Sequence, residues 1–206
     1  MNYFVTAIDT DSGKTMVSAI LCEALKADYW KPVQAGFPTD SETIGSLVTN
    51  TTTRVHRETH LLKTPASPHA SARIDNVHIK LDDFIVPETV NDVIIEGAGG
   101  CLVPLNDHDF VIDLAPRFNA EIILVADLYL GSINHTLLTF NELTRRDLNL
   151  KGIIFNGQPN QQSEEIILLH TGLRCLLRIA REAIVTKDII RKYAKLLLLN
   201  WNGRSA

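Results

Sequence analysis

The sequence predicts an α/β fold in which a mostly parallel central sheet is flanked by helices on both faces. Short apolar runs rich in β-branched residues alternate with longer segments whose apolar residues recur at helical spacing. The apolar runs lack polar alternation, which is typical of strands buried on both faces. Because helices separate these runs, crossover connections must join the strands, and such connections favour parallel pairing.

Each predicted element has its own local signal. The first apolar run leads into a polar loop with Gly-Lys-Thr, and the second is stopped by Pro32 and the turn residues that follow. Thr186 can cap the last helix. The predicted strands are residues 3–8, 29–33, 92–96, 121–126 and 151–156. The predicted helices are residues 14–27, 134–146, 163–170 and 187–199.

Length and composition narrow the class of protein. The chain has 206 residues, and we expect residues 1–206 to form a single domain in which residues 36–87 are an irregular insertion. A net charge of -4 without a long basic run argues against nucleic acid or an anionic membrane as a partner. Three scattered cysteines and an N-terminus without signal-peptide features lead us to expect a cytoplasmic protein.

The segment AIDTDSGKT at residues 7–15 follows a strand and opens a helix, which is the context of a phosphate-binding loop. The fold is therefore expected to be P-loop NTPase-like, although Ala7 stands where such loops usually begin with glycine. Helical N–H groups would bind phosphate oxygens, and Gly13 would let the backbone approach them. Lys14 would lie on the β- and γ-phosphates and Thr15 on Mg²⁺. The alternative is a plain strand-to-helix turn.

Four motifs occur in order along the chain: FVTAIDTDSGKT at residues 4–15, WKPVQAG at 30–36, EGAGGCLVP at 96–104 and LGSINHTLLT at 130–139. With a weaker SPH at residues 67–69, this set resembles the dethiobiotin synthetases. The resemblance implies a Mg²⁺-dependent ligase that works as a homodimer. Its substrates would be 7,8-diaminopelargonic acid, CO₂ or bicarbonate, and ATP. Its products would be dethiobiotin, ADP and phosphate.

The resemblance also implies roles for the motif residues. Lys31 would join Lys14 as a catalytic ammonium group that neutralises the carbamate and the γ-phosphate, and the alternative is a strand-end lysine facing solvent. The GAG segment at residues 97–99 would turn the backbone close to the phosphates. The implied nucleotide-binding residues are Asp11, Ser12, Gly13, Lys14, Thr15, Glu96, Gly97, Ala98, Gly99 and Asn156. The implied substrate-binding residues are Thr10, Ala35, Gly131, Ser132 and Asn134, the last three reaching the other subunit's substrate.

The implied metal ligands are Thr15, Glu42 and Glu96. Glu96 ends a buried strand, where a carboxylate is unfavourable unless it is paired or binds a metal. Spacing assigns the second acidic position to Glu42, with Asp40 as its rival. Both acids could instead be ordinary residues at the start of a helix, where negative charge is favoured. The choice between them stays open at this point.

Several positions depart from the family pattern. Ala35 replaces a serine, and RIAR at residues 178–181 stands where many members place a proline against adenine, which leaves nucleotide selectivity open. Two alternatives remain. One is a partitioning or septum-placement ATPase, although residues 8–10 lack the extra lysine common in that class. The other is a catalytically weakened homologue, suggested by Ala7, Ala35 and Ala180.

Overall fold

A computed structural model describes residues 1–201, so the last five residues of the predicted 1–206 domain lie outside the described residues. The strands are β1 (Asn2–Ala7), β2 (Asp28–Trp30), β3 (Val33–Ala35), β4 (His60–Leu62), β5 (Val93–Gly100), β6 (Ala120–Leu128), β7 (Leu150–Gly157) and β8 (Cys175–Ala180). The helices are α1 (Lys14–Leu25), α2 (Asp40–Leu47), α3 (Pro68–Ile74), α4 (Leu114–Arg117), α5 (Ser132–Arg145), α6 (Gln161–Thr171) and α7 (Lys187–Trp201). Short 3₁₀ turns cover Leu81–Asp83 and Val111–Asp113.

Six strands form the central sheet in the order β2-β5-β1-β6-β7-β8, and every adjacent pair is parallel. β1 lies between β5 and β6. The strands β2 and β5 therefore lie on one side of β1, and β6, β7 and β8 lie on the other. Ligands of open parallel sheets bind in the crevice beyond the carboxyl ends of the strands, at the point where the strand order reverses. The phosphate loop that follows β1 opens into this crevice.

Helices cover both faces of the sheet, which confirms the predicted α/β architecture. One buried cluster joins the sheet to α1 and α7, and a second joins the opposite face to α4, α5 and α6. The strand residues alternate between these two clusters, which explains their unbroken apolar sequences. Within residues 1–201, no helix combines the length and the apolarity that a bilayer crossing requires.

The segment from residue 36 to residue 87 has more regular structure than its sequence suggests. It holds α2, β4, α3 and one of the 3₁₀ turns. The second predicted strand is divided at Pro32: its first half is β2 in the central sheet, and its second half leads into β3. β3 pairs with β4 in a separate two-stranded parallel sheet. This small sheet places the 36–87 segment beside the crevice.

Two expectations about the strands are wrong. Strand β5 does not end at Glu96 but continues through Gly97, Ala98 and Gly99 to Gly100, which pairs with Ala7 after a register shift. The GAG segment therefore lies inside an irregular part of β5, where Gly99 has a φ of 67°, and the chain turns after the strand, at residues 101–102. β8 was not predicted at all, because the charged Arg178 interrupts its apolar run.

Candidate active site

The phosphate loop is shaped around Gly13, which precedes α1 with a φ of 93°. The side-chain amide of Asn156, at the end of β7, donates a 2.9 Å hydrogen bond to the carbonyl oxygen of Ser12. A Cβ on Gly13 would lie 2.3 Å from the amide nitrogen of Asn156, so this position needs glycine for space as well as for φ. No side chain caps α1, which leaves the N–H groups of its first turn open to an anion.

Lys14 is buried and its ammonium group turns back onto the loop. Its Nζ donates to the carbonyl oxygens of Asp9, at 3.0 Å, and Thr10, at 2.9 Å. Burial lowers the pKa of Lys14 to about 8, against the opposing effect of the Glu96 carboxylate. Carbonyl oxygens carry no net charge, so a bound triphosphate would be a stronger partner for this ammonium group.

Glu96 is the centre of a buried polar network. Its side chain is 1% exposed, and its Oε1 accepts hydrogen bonds from Thr15 Oγ1 and Lys31 Nζ, each at 3.0 Å. Its Oε2 accepts from the hydroxyl of Tyr29, also at 3.0 Å. These three hydrogen bonds, one of them from a cation, compensate for the burial of the carboxylate.

Lys31 lies beside this carboxylate, so the alternative of a strand-end lysine facing solvent is wrong. It is 5% exposed and forms ion pairs with Glu96 and Asp40. Burial by itself lowers the pKa of Lys31, but the carboxylates of Glu96 and Asp40 outweigh burial and raise it. The ammonium group is therefore charged at neutral pH and held at the mouth of the phosphate loop.

Of the two acids considered for the metal site, Asp40 lies beside Lys31 and lines the cavity, whereas Glu42 does not. Glu42 is exposed, and its carboxylate accepts a 3.0 Å hydrogen bond from the backbone N–H of Thr39 while Thr39 Oγ1 accepts from Glu42 N. This reciprocal capping box holds Glu42 at the outer surface of α2. Asp40 contacts Lys31, and its backbone N–H donates to Gln34 Oε1 at 3.2 Å.

A cavity of about 590 Å³ lies over this network. Most of the predicted site residues line it, but Ser12 and Gly97 are buried behind it; a Cβ on Gly97 would lie 3.1 Å from the ring of Phe4. The lining residues are Thr10, Asp11, Gly13, Lys14, Thr15, Lys31, Val33, Gln34, Ala35, Asp40, Pro65, Ala66, Ser67, Pro68, Glu96, Ala98, Gly99 and Val103. The cavity thus brings the phosphate loop, the WKPVQAG motif and β5 together.

The start of α5 does not line this cavity. Gly131 has a φ of 110° and precedes the helix without a side-chain cap. Ser132 is 1% exposed, and its hydroxyl has no hydrogen-bond partner within residues 1–201. Asn134 is exposed on the same turn. These three predicted substrate-binding residues therefore form a separate uncapped helix start.

The donor set around Glu96 suits a hard cation. It consists of three oxygen ligands: the Thr15 hydroxyl and the carboxylates of Glu96 and Asp40. Thr15 contacts Glu96 directly, and Lys31 contacts both carboxylates. Within residues 1–201, no group of three or more His, Cys, Asp or Glu side chains forms a ready metal cage. Mg²⁺ typically binds one or two carboxylates and takes its other ligands from water and phosphate, so the residues fit that ion.

Sequence reasoning missed several contributors to the site. Tyr29 precedes the KPV motif and looked like a buried strand residue, yet its hydroxyl reaches Glu96. Gln34 orients Asp40, and Pro65 and Ala66 line the cavity from the 36–87 segment. The available signal for Tyr29 was its hydroxyl, because a buried tyrosine usually needs a hydrogen-bond partner. Pro65 and Ala66 carry no such signal.

At the far edge of the sheet, Arg178 takes part in an ion pair rather than in the cavity. Its Nε donates to Glu164, whose side chain is 5% exposed. The pair lies beside a small cavity of about 140 Å³ that Gly157 and Ala180 also line. The divergent RIAR segment thus lies next to the loop that follows Asn156.

Comparison with known proteins places this geometry in a family. The chain matches the AAA domain family over residues 1–188. It is 57% identical to the ATP-dependent dethiobiotin synthetase of Cytophaga hutchinsonii, with 97% of this chain and 98% of that protein covered. It is 42% identical to the enzyme of Christiangramia forsetii, with 94% of each covered. The enzyme of Chlamydia felis is 38% identical, with 100% of this chain and 98% of that protein covered.

Solved structures share the fold at much lower identity. A ParA family ATPase from Chlorobium tepidum superposes with a TM-score of 0.60 at 12% identity, over 96% of this chain and 92% of that chain. The septum site-determining protein MinD of Pyrococcus horikoshii, complexed with Mg-ADP, gives 0.56 at 13% identity over the whole of both chains. These likenesses concern the fold alone, whereas the sequence relatives agree over nearly the full length. The chain is therefore a member of the dethiobiotin synthetase family.

Proposed function

We propose that this chain is an ATP-dependent dethiobiotin synthetase that acts in biotin biosynthesis. The reaction joins 7,8-diaminopelargonic acid to CO₂ and closes a five-membered ureido ring, with ATP converted to ADP and phosphate. The observation that carries the proposal is the meeting of two buried lysines, Lys14 and Lys31, at one cavity beside Glu96. Three enzymes of that name, which are 38–57% identical to this chain over nearly its full length, support it.

The reaction requires stabilisation of negative charge on two neighbouring groups, the carbamate and the γ-phosphate. One amine of the substrate adds to CO₂ and gives a carbamate, whose oxygen then takes the γ-phosphoryl group from ATP. The second amine attacks the activated carbonyl carbon, and phosphate leaves as the ring closes. The N–H groups of α1 and the Lys14 ammonium would hold the phosphates, and Lys31 would neutralise charge on the carbamate and on the transferred group.

The predicted Mg²⁺ would be held by Thr15 and Glu96, with Asp40 in place of Glu42. When bound, the ion would offset negative charge on the β- and γ-phosphates. Lys31 forms ion pairs with Asp40 and Glu96, and its positive charge offsets the repulsion between the two carboxylates. Thr10 and Ala35 line the same cavity, where Ala35 can offer the diamine only its backbone polar groups.

We further propose a homodimer in which the start of α5 binds the substrate carboxylate of the other subunit. The uncapped N-terminus and the exposed side chain of Asn134 support an anion site there. Apolar side chains exposed around it, Leu102, Leu130, Ile133 and Leu138, support contact with a second chain. Sedimentation velocity tests this arrangement. We expect the enzyme to work in the cytoplasm, without nucleic-acid or membrane partners.

The decisive experiment is ADP release measured with and without diaminopelargonate and bicarbonate. The proposal expects turnover that requires both, with dethiobiotin formed in equal amount to ADP. Turnover indifferent to the diamine would overturn it and favour a nucleotide-switch ATPase. Tight ATP binding with no turnover in any mixture would favour a catalytically weakened homologue.

A further inference from the structure

Tyr29 stands out among the groups around Glu96 because it belongs to the core rather than to the cavity. Its side chain is fully buried in the same cluster as Ile20 and Leu21 of α1. Tyr29 does not line the cavity, yet its hydroxyl donates a 3.0 Å hydrogen bond to Glu96 Oε2. The hydroxyl therefore contacts Glu96 from the core and not from the cavity.

The backbone of Tyr29 is fixed from two sides. On one side Tyr29 pairs with Ile94 of β5. On the other its N–H donates to the carbonyl of Arg54 and its carbonyl accepts from the N–H of His56, each at 2.8 Å. A side chain locked by packing and by its own backbone hydrogen bonds can place a donor atom accurately.

The two oxygens of Glu96 differ in what holds them. Oε1 accepts from Thr15 and Lys31, and both of these donors line the cavity. When nucleotide and substrate bind, those donors gain stronger anionic or metal partners. Oε2 is held by Tyr29, which has no path toward the cavity because it is enclosed in the core. Tyr29 can therefore keep the carboxylate in place while its other hydrogen bonds change.

We propose that Tyr29 is a positioning residue that fixes the orientation of the Glu96 carboxylate so that Oε1 faces the metal and phosphate side of the cavity. The inference rests on the proposed function, which makes Glu96 a ligand of Mg²⁺. It goes further by assigning a role to a residue outside the four family motifs. Hydrogen-bond partners of metal ligands commonly set metal affinity in this way.

The test is Tyr29→Phe, which removes one oxygen atom and keeps the ring. Binding of a fluorescent ATP analogue is titrated in EDTA and then at increasing free Mg²⁺. The variant should need about tenfold more Mg²⁺ for half-maximal tightening of nucleotide binding, while its affinity in EDTA should match that of the wild type. The readout is binding, so it does not depend on turnover.

Tyr3→Phe is a matched control, since Tyr3 is 3% exposed on β1 and, within residues 1–201, its hydroxyl donates only a weak hydrogen bond to Met1 Sδ at 3.7 Å. The control should behave as the wild type. Equal Mg²⁺ requirements in Tyr29→Phe and Tyr3→Phe would overturn the inference, and so would an equal loss of affinity with and without Mg²⁺, which would indicate general loosening. A wild type that binds ATP with Mg²⁺ but ignores the diamine would refute the proposed function and leave the role of Tyr29 intact.

Discussion

The polar network around Glu96 and the start of α5 are built in opposite ways. Around Glu96, the side chains of Thr15, Tyr29 and Lys31 all donate hydrogen bonds to the Glu96 carboxylate within a single chain. At the start of α5, the hydroxyls of Ser132 and Thr136 are buried, and within residues 1–201 neither has a hydrogen-bond partner. An unpaired buried polar group costs about 1–3 kcal/mol, so the second region is stabilised by whatever completes it.

This difference indicates which part of the site the fold itself prepares. The region around the phosphate loop and Glu96 is held in place by hydrogen bonds within the chain, and preorganised charge is what phosphoryl transfer requires. The α5 side stays open, as expected for a site completed by a second subunit and a substrate carboxylate. Variants in the first region should therefore alter turnover, and variants in the second should alter affinity for the diamine.

The largest effect is expected for Lys31→Ala. Without this ammonium group, charge on the carbamate and the transferred phosphoryl group is not offset, so turnover should fall by about 10²–10³-fold. ATP binding should weaken far less, because Lys14 and the N-terminus of α1 remain. Steady-state kinetics and nucleotide titration on the same preparation measure the two effects.

Lys195→Ala is a suitable control because that lysine is exposed on α7. It removes the same charge far from the cavity and should leave turnover unchanged. Circular dichroism must show that Lys31→Ala is folded, since Glu96 and Asp40 lose their buried partner. A folded Lys31→Ala protein with normal turnover would remove Lys31 from the reaction.

A second test compares the two acids of α2 by the same amide substitution. Asp40→Asn should lower turnover by about tenfold, because Asp40 faces Lys31 and the metal side of the cavity. Glu42→Gln should be nearly neutral, because glutamine can replace glutamate in a capping box. Turnover measured across a range of Mg²⁺ separates them. The reverse order of effects would restore Glu42 to the site.

The sequence predicted the strands of the central sheet that are buried on both faces, because a short unbroken apolar run between turn residues is typical of such strands. It left two details open or wrong. Asp40 and Glu42 both suit a helix start, and the capping box between Thr39 and Glu42, a local pattern that the sequence already contains, turns Glu42 outward. Strand β5 continues to Gly100, which pairs with Ala7 after a register shift, and spacing along the sequence does not show that pairing.

The cavity was predicted in part for a related reason. Motif residues at the carboxyl ends of strands are brought together by the parallel sheet, and so Lys14, Lys31 and Glu96 meet as expected. Pro65 and Ala66 come from a segment with no periodic pattern, and their position depends on the small sheet of β3 and β4. Pairing between strands of three residues leaves too little sequence signal to predict.

The open region can be tested with Asn134→Ala, because Asn134 is exposed on the first turn of α5 whereas the hydroxyl of Ser132 is buried. If the start of α5 binds the substrate carboxylate, loss of this side chain should raise the KM for the diamine by about tenfold and leave kcat nearly unchanged. Asn141→Ala removes another exposed asparagine further along the same helix and should leave KM unchanged. Equal effects of the two variants would point to a general change in the helix instead of binding.

The smallest expected effect concerns the other end of α5, which is firmly anchored. Glu142 accepts hydrogen bonds from Arg145, at 2.8 Å, and Arg146, at 2.6 Å, and Arg146 also pairs with Asp113. The hydrogen bonds from Arg145 and then Arg146 lower the pKa of Glu142 to about 2. Because this end of the helix is anchored, the open start of α5 is explained by its unpaired polar groups and not by a loosely held helix.

Because the pKa of Glu142 is lower in the folded protein than the usual 4.5, its contribution to stability is complete above that value and is lost as pH falls toward 2. Glu142→Gln should reduce the free energy of unfolding by at most about 1 kcal/mol at pH 7, because its partner Arg145 is exposed and water screens that pair. The difference from the wild type should shrink between pH 4.5 and pH 2, as urea titrations at several pH values would measure. A difference that stays constant over this range would mean that the arginines stabilise α5 without the charge of Glu142.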